Sequence, residues 1–200
     1  MDASAYGAAA QRGYEAAVHY LASLMPRFPN WTAEELATVH DLYFGELYPH
    51  AGEWRQRGQL ASFGPYVGAD FQYIEAEMRL LLQQCQELTL GLDGYEAGVF
   101  PADLLRFIAF FHARLIFIHP FKDGNGRWAR LLTSALELHL ISAQQRPLLP
   151  PLPKPVYIHA LGCAPQNLAP LTAYYAEHRG LSMPSLQAHP PPLKVQVTFR

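Results

Sequence analysis

Apolar positions recur every three to four residues through residues 4–24 and again through 33–48, the spacing that gathers them on one face of a helix. Thr32 ahead of Ala33, Glu34 and Glu35 offers a side-chain oxygen and then early acidic residues, the pattern of a helix start. The period fails between about 52 and 68, where the chain is glycine-rich and reads as a short hairpin or loop. It returns over 69–88, with Asp70 or the turn before it as the start, and a glycine-rich connector follows. Pro101 then suits the first turn of another helix. That helix, ADLLRFIAFFHARLIFI, is apolar on nearly every face, which predicts a position at the centre of an all-α core.

It ends at His119. Beyond a glycine-containing turn the period resumes over 125–144, with Trp128, Leu131, Leu132, Ala135, Leu136 and Leu138 as its apolar stripe. A proline-rich extended stretch and two short helices, 155–164 and 168–178, complete the body. The predicted fold class is therefore all-α, a helical bundle around a central helix-loop-helix with a short β-hairpin. Residues 1–183 are read as one domain and 184–200 as a proline-rich tail. Within the tail, Lys194 to Phe199 alternate like a strand; because an isolated strand is unstable, disorder or packing on the domain is expected in preference to a functional role.

With 200 residues, half of them hydrophobic and 16% charged, the chain can bury a full core, and a second domain is not expected. A formal net charge of −2 without a basic cluster argues against nucleic acid as a partner, since backbone phosphates call for concentrated Lys and Arg. No apolar run of about 18 residues and no export-type N-terminus is present, so a soluble protein without membrane contact is predicted. Cys85 and Cys163 read as reduced thiols of a cytoplasmic protein. His159 and Cys163 lie four apart, but no second pair at ligand spacing joins them, which favours structural roles.

The stretch HPFKDGNGRWAR, residues 119 to 130, concentrates the chemistry. Gly124, Asn125 and Gly126 at a helix start would present free backbone N–H groups and the positive dipole end to an anion. Arg127 and Arg130, three apart on that helix, can fork onto further phosphate oxygens. Asp123 offers hard oxygen to Mg²⁺, the usual companion of a nucleoside triphosphate, and His119 is a natural proton acceptor near neutrality. Phe121 reads as a buried ring that fixes the loop.

His119, Pro120, Phe121, Asp123, Gly124, Asn125, Gly126, Arg127 and Arg130 together reproduce the Fic-domain pattern HPFx(D/E)GNGRxxR, and the chain resembles that family. LYFGELYPHAGEWR (42–55) resembles the lead into the family's substrate-binding flap, here about 54–68, and residues 156–178 resemble its closing helices. The resemblance implies a Fic-type bundle and a protein adenylyltransferase moving AMP from ATP to a Ser, Thr or Tyr hydroxyl of a target protein, as a toxin or an effector delivered into another cell. In that scheme His119 is the base, Asp123 holds Mg²⁺, and Asn125 orients the α-phosphate. Arg127 and Arg130 hold the outer phosphates. Phe63 and Tyr66 on the flap would clamp the target, and Tyr157 would line the adenine pocket.

Glycine rather than lysine at position 126 and glycine rather than alanine at 124 favour AMP transfer over the phosphate- and phosphocholine-transferring relatives. Donation of UMP, phosphate or phosphocholine, or a non-catalytic nucleotide-binding regulator, are the alternatives. The family's inhibitory (S/T)xxxE(G/N) helix has no clean copy: Thr89 to Gly94 keeps the spacing but carries Asp93. The enzyme is then unrestrained, or a small antitoxin-like protein supplies the glutamate.

Overall fold

The computed structural model describes residues 2–59, 61–89, 102–140 and 154–178. Among these, helices α1 (Ala3–Leu24), α2 (Ala33–Phe44), α3 (Ile74–Thr89), α4 (Ala102–Ile118), α5 (Asn125–Leu140), α6 (Lys154–Cys163) and α7 (Ala169–His178) surround one core. A two-stranded antiparallel hairpin, β1 (Ser62–Phe63) and β2 (Tyr66–Val67), projects between α2 and α3 in chain order, so the expected mostly helical class with a small hairpin is what forms. The 183/184 boundary, the strand-like Lys194–Phe199 stretch and Asp93 lie outside the described residues.

Helix α4 occupies the centre for the reason its composition gives. From Leu104 to Ile118 nearly every side chain is buried, and α3, α5 and α7 pack around it. On it Arg114, almost wholly enclosed, pairs with Glu77 of α3 at 2.6 Å, an ion pair taken largely out of water. Helices α1 and α2 approach so closely at Gly13 that an added Cβ would sit 2.2 Å from the Tyr43 carbonyl oxygen. Trp31 closes their connection by donating its indole N–H to Leu24 O at 2.8 Å.

Thr32 caps α2 as its sequence implies. Its hydroxyl accepts from Glu35 N and its own N–H donates to the Glu35 carboxylate, a reciprocal capping box. The helix stops at Phe44, four residues short of the predicted end at 48. Pro49 accounts for this, because the residue before a proline is pushed out of the helical region, and the chain breaks into turns in which Leu47 and Tyr48 both donate to Phe44 O. The start at 69 also shifts: Asp70 caps a short 3-10 turn, Phe71–Tyr73, and the α-helix proper begins at Ile74.

The hairpin turns on Gly64 and Pro65, with Gly64 at φ +56°, the positive angle that a two-residue hairpin turn requires of its first central residue. Its strands pair Ser62 with Val67 and Phe63 with Tyr66. Tyr66 lies against α6, where an added Cβ on Gly162 would fall 1.7 Å from its hydroxyl, so only glycine admits the ring.

Candidate active site

The turn between α4 and α5 is built by residues that face it from three directions. His119 follows α4 directly and takes a positive φ of 48°, which turns the chain sharply out of the helix. Its Nδ1 lies 3.1 Å from Ile116 O; a carbonyl only accepts, so Nδ1 carries the proton and Nε2 keeps its lone pair. Burial, and secondarily the nearby Arg55 charge, push the imidazole pKa below its usual 6.5, against the opposing effect of the Ile116 bond. The ring is neutral at pH 7 and its free nitrogen is basic.

Phe121 is fully buried, stacked on His40 at 3.6 Å and edge-on to Trp128 at 4.9 Å, which is the anchoring role its position suggests. Asn125 clamps the same residue from the helix side. Its Oδ1 accepts from Phe121 N at 2.9 Å and its Nδ2 donates to Phe121 O at 2.7 Å. The side-chain amide thus shapes the loop through its oxygen and one N–H, and what Asn125 has left for an anion is its second amide N–H and its backbone N–H. Gly124, at φ +79°, could carry no side chain: a Cβ would press to 2.8 Å from Phe44 and 3.0 Å from His40. The first intrahelical bond of α5 runs from Trp128 N to Gly124 O, so the N–H groups of Asn125, Gly126 and Arg127 belong to the open first turn.

His119, Asp123, Gly124, Asn125, Gly126, Arg127 and Arg130 line a single cleft of about 520 Å³, together with Tyr48, Ser62 and Lys122. Arg130 forms no hydrogen bond or ion pair among the described residues and is exposed to the cleft. Arg127 is held: its guanidinium lies 4.6 Å over the Phe44 ring and donates to the Tyr48 and Tyr6 hydroxyls, which leaves further N–H groups for an anion. Asp123 presents a carboxylate whose side chain is 52% exposed. One carboxylate plus substrate phosphates is a common Mg²⁺ environment, and no group of three His, Cys, Asp or Glu gathers among the described residues. The residues therefore fit an ion that arrives with a nucleotide. A larger cavity, about 690 Å³ between α1 and α5, shares Arg127 and Arg130 but holds neither His119 nor the glycine turn.

Phe63 and Tyr66 are both half-buried on the flap, and they differ in what they face. Phe63 stacks beside the His119 ring at 5.5 Å, whereas Tyr66 packs on Phe117 and α6. Tyr157 does not line the 520 Å³ cleft. Its hydroxyl bonds to His112 Nε2 at 2.6 Å, and His112 Nδ1 lies 3.0 Å from Thr133 Oγ1, whose own proton goes to Ala129 O at 2.7 Å. Each donor in that buried chain is fixed by the next: Tyr157 to His112, His112 to Thr133, Thr133 to the backbone of α5.

Three contributors escape a reading of periodicity. Arg55 is 5% exposed and donates to the carbonyls of His119 at 2.6 Å, Ala69 at 2.6 Å, Gln59 at 3.1 Å and Ile118 at 3.4 Å, joining the flap base to the negative end of α4. His50 meets the Asp123 carboxylate at 3.2 Å. His40 accepts from Gly52 N at Nδ1 and so must donate from Nε2 to Asp123 O at 2.9 Å, a neutral ring by construction. The only advance signal was its place between Leu36 and Phe44 on the apolar face of α2.

Burial pulls the His40 pKa down to about 4. The unfolded chain binds a proton there near 6.5 that the folded chain refuses, so stability is fully present above pH 6.5 and is lost as pH falls toward 4. The shift corresponds to on the order of 3 kcal/mol. Urea midpoints measured at pH 4.5 and 7.0 are expected to fall more in wild type than in His40→Gln, which has no proton to gain; equal falls would contradict the assignment.

A model of the Fic/DOC family matches residues 30–136, just over half of the chain. The chain belongs to the Fic/DOC family. It is 26% identical over 167 residues to the protein adenylyltransferase Fic of Drosophila willistoni, covering 82% of this chain and 31% of that protein. With the protein of the same name from Culex quinquefasciatus it shares 30% over 125 residues, covering 62% and 23%. The chain spans less than a third of the length of these curated relatives. Residues 134–508 of Fic-1 from C. elegans share its fold, with a TM-score of 0.65 at 24% identity over 88% of this chain and 48% of that one. So does the BepC protein of Bartonella tribocorum with bound AMPPNP, at 0.53 and 18% over 84% and 86%. As a Fic domain, the chain has its family motif on the walls of the cleft rather than scattered through the fold.

Proposed function

We propose that this Fic domain transfers AMP from ATP to a Ser, Thr or Tyr hydroxyl of another protein. The observation that carries the reading is the tautomer of His119: its Nδ1–H is spent on Ile116 O, so a lone pair remains on Nε2 in the cleft that also holds the open turn of α5. The relatives named protein adenylyltransferase and the neighbour with AMPPNP support the choice of donor.

The α- and β-phosphates lie against the N–H groups of residues 125–127, and Arg130 with the spare N–H groups of Arg127 takes the outer phosphate oxygens. His119 Nε2 accepts the hydroxyl proton as that oxygen bonds to the α-phosphorus. The bond from the α-phosphorus to the bridging oxygen breaks, and pyrophosphate leaves with the electron pair. Asp123 would hold the Mg²⁺ that accompanies the nucleotide, an ion that would supply charge neutralisation for the leaving group. Tyr157, partly exposed with its hydroxyl on His112, remains the candidate for the adenine contact. The target segment lies along the hairpin edge, with Phe63 beside the imidazole. A small inhibitory protein able to place a glutamate on the exposed, unengaged Arg130 is the corresponding partner, and a cytoplasm, of its own or a recipient cell, the corresponding setting.

The test is a comparison of donors. ATP labelled at the α-phosphate is expected to leave label on a lysate protein while ATP labelled at the γ-phosphate does not. Label from the γ-position, or from UTP in place of ATP, would move the assignment to the other transfer chemistries.

A further inference from the structure

The turn GELYPHAG, residues 45 to 52, reaches the cleft at two points. Tyr48 takes a hydrogen bond from Arg127, and His50 Nε2 stands 3.2 Å from Asp123 Oδ2. Pro49 joins them with a fixed φ, and the two rings lie 6° from parallel at 5.7 Å. Further bonds hold this turn in place: Tyr48 N to Phe44 O at 2.8 Å, Ala51 N to Tyr48 O and Glu53 N to His50 O, both 3.2 Å. His50 is thus a supported ring, its side chain 20% exposed, set against a carboxylate that is otherwise half in solvent.

An ionised carboxylate only accepts, so His50 Nε2 must carry the proton in this contact. Oδ2 then already accepts a hydrogen bond, and Oδ1 is the freer oxygen for a cation. We propose that His50 is a positioning residue for Asp123, fixing its carboxylate so that one oxygen alone meets the metal of a bound metal–nucleotide, and thereby favouring Mg²⁺ over Ca²⁺. This rests on the nucleotide reading above. Mg²⁺ demands near-ideal octahedral geometry and accepts a single oxygen from a carboxylate, whereas Ca²⁺ tolerates the bidentate mode with which the hydrogen bond competes. Partners that orient a metal ligand are commonly worth 10- to 100-fold in metal affinity, and this partially exposed one belongs at the lower end.

The test is calorimetric binding of AMPPNP to the whole chain in Mg²⁺, in Ca²⁺ and in EDTA. In His50→Ala the Mg²⁺-supported affinity is expected to fall roughly tenfold while the EDTA affinity stays within about twofold, and the preference for Mg²⁺ over Ca²⁺ narrows. His50→Gln, whose amide N–H reaches as far as Nε2, recovers most of the loss. In an Asp123→Asn background the His50→Ala effect vanishes, since there is no carboxylate to orient. Equal losses in Mg²⁺ and EDTA would make His50 a packing residue and overturn the proposal, as would an unchanged Mg²⁺ affinity. Absence of AMPPNP binding by wild type in every buffer would instead remove the nucleotide reading itself, and this inference with it.

Discussion

His119→Ala is expected to abolish transfer, lowering the rate of protein labelling by roughly 10²- to 10⁴-fold, the range lost when a positioned base is removed. The imidazole is the cleft's group with a free, basic nitrogen at neutral pH, because Ile116 O holds the other nitrogen's proton and burial keeps the ring uncharged. Nucleotide affinity should change little, since the open N–H groups proposed to hold phosphate sit beyond the substitution on α5. A companion variant separates chemistry from folding. Position 119 has φ +48°, which alanine adopts at a cost of about 1 kcal/mol and glycine without cost, so His119→Gly should be equally inactive yet more stable than His119→Ala. In wild type, kcat/KM should rise with pH as the ring deprotonates, with its midpoint below 6.5 because the folded pKa is lowered. Persistent label on the target in both variants, at nucleotide affinities like wild type, would remove His119 from the reaction.

Arg55→Ala is expected to destabilise the fold by about 3 kcal/mol, since hydrogen bonds from a charged donor contribute about 1.5–3 kcal/mol each and do not add fully when several share one group. In a chain of this size that is a fall in Tm of roughly 10 °C. The guanidinium reaches four carbonyls across the flap base and the end of α4, and its charge is offset there by the helix dipole rather than by an acidic partner at contact distance. Arg55→Lys should recover less than half, because one ammonium cannot span that fan of acceptors. Thermal unfolding by circular dichroism reads both variants; a Tm within about 2 °C of wild type for Arg55→Ala would mean that water replaces the guanidinium without loss.

Much of the architecture was legible because local rules and burial agreed. The all-round apolar run of α4 could only be a central helix, Thr32 and Glu35 cap α2 through their own side chains, and Phe121 is as buried as its place in the motif suggests. The motif residues were legible as a set, but their division of labour was not. Asn125 reads as a phosphate ligand, and its amide also grips the Phe121 backbone, a contact set by the tight turn at Gly124 that no spacing rule encodes. Arg127 and Arg130 look equivalent at i and i+3, yet the Phe44 face and two tyrosine hydroxyls from α1 and the 45–52 turn engage only the first. Arg55, His40 and His50 act across 64, 83 and 73 positions of sequence, where single-chain patterning carries no signal. Tyr157 was assigned to the adenine by resemblance, while its hydroxyl turns inward to His112.

That inward turn bears on how little of the polypeptide can stand by itself. The family match ends at residue 136, eighteen positions before α6 begins, and a fragment trimmed to it would leave His112 with an acceptor nitrogen facing a void in the middle of α4. The last two helices therefore stand as the closing wedge of an arch: they line none of the 520 Å³ cleft, and the span above them is expected to lose its shape when they are cut away.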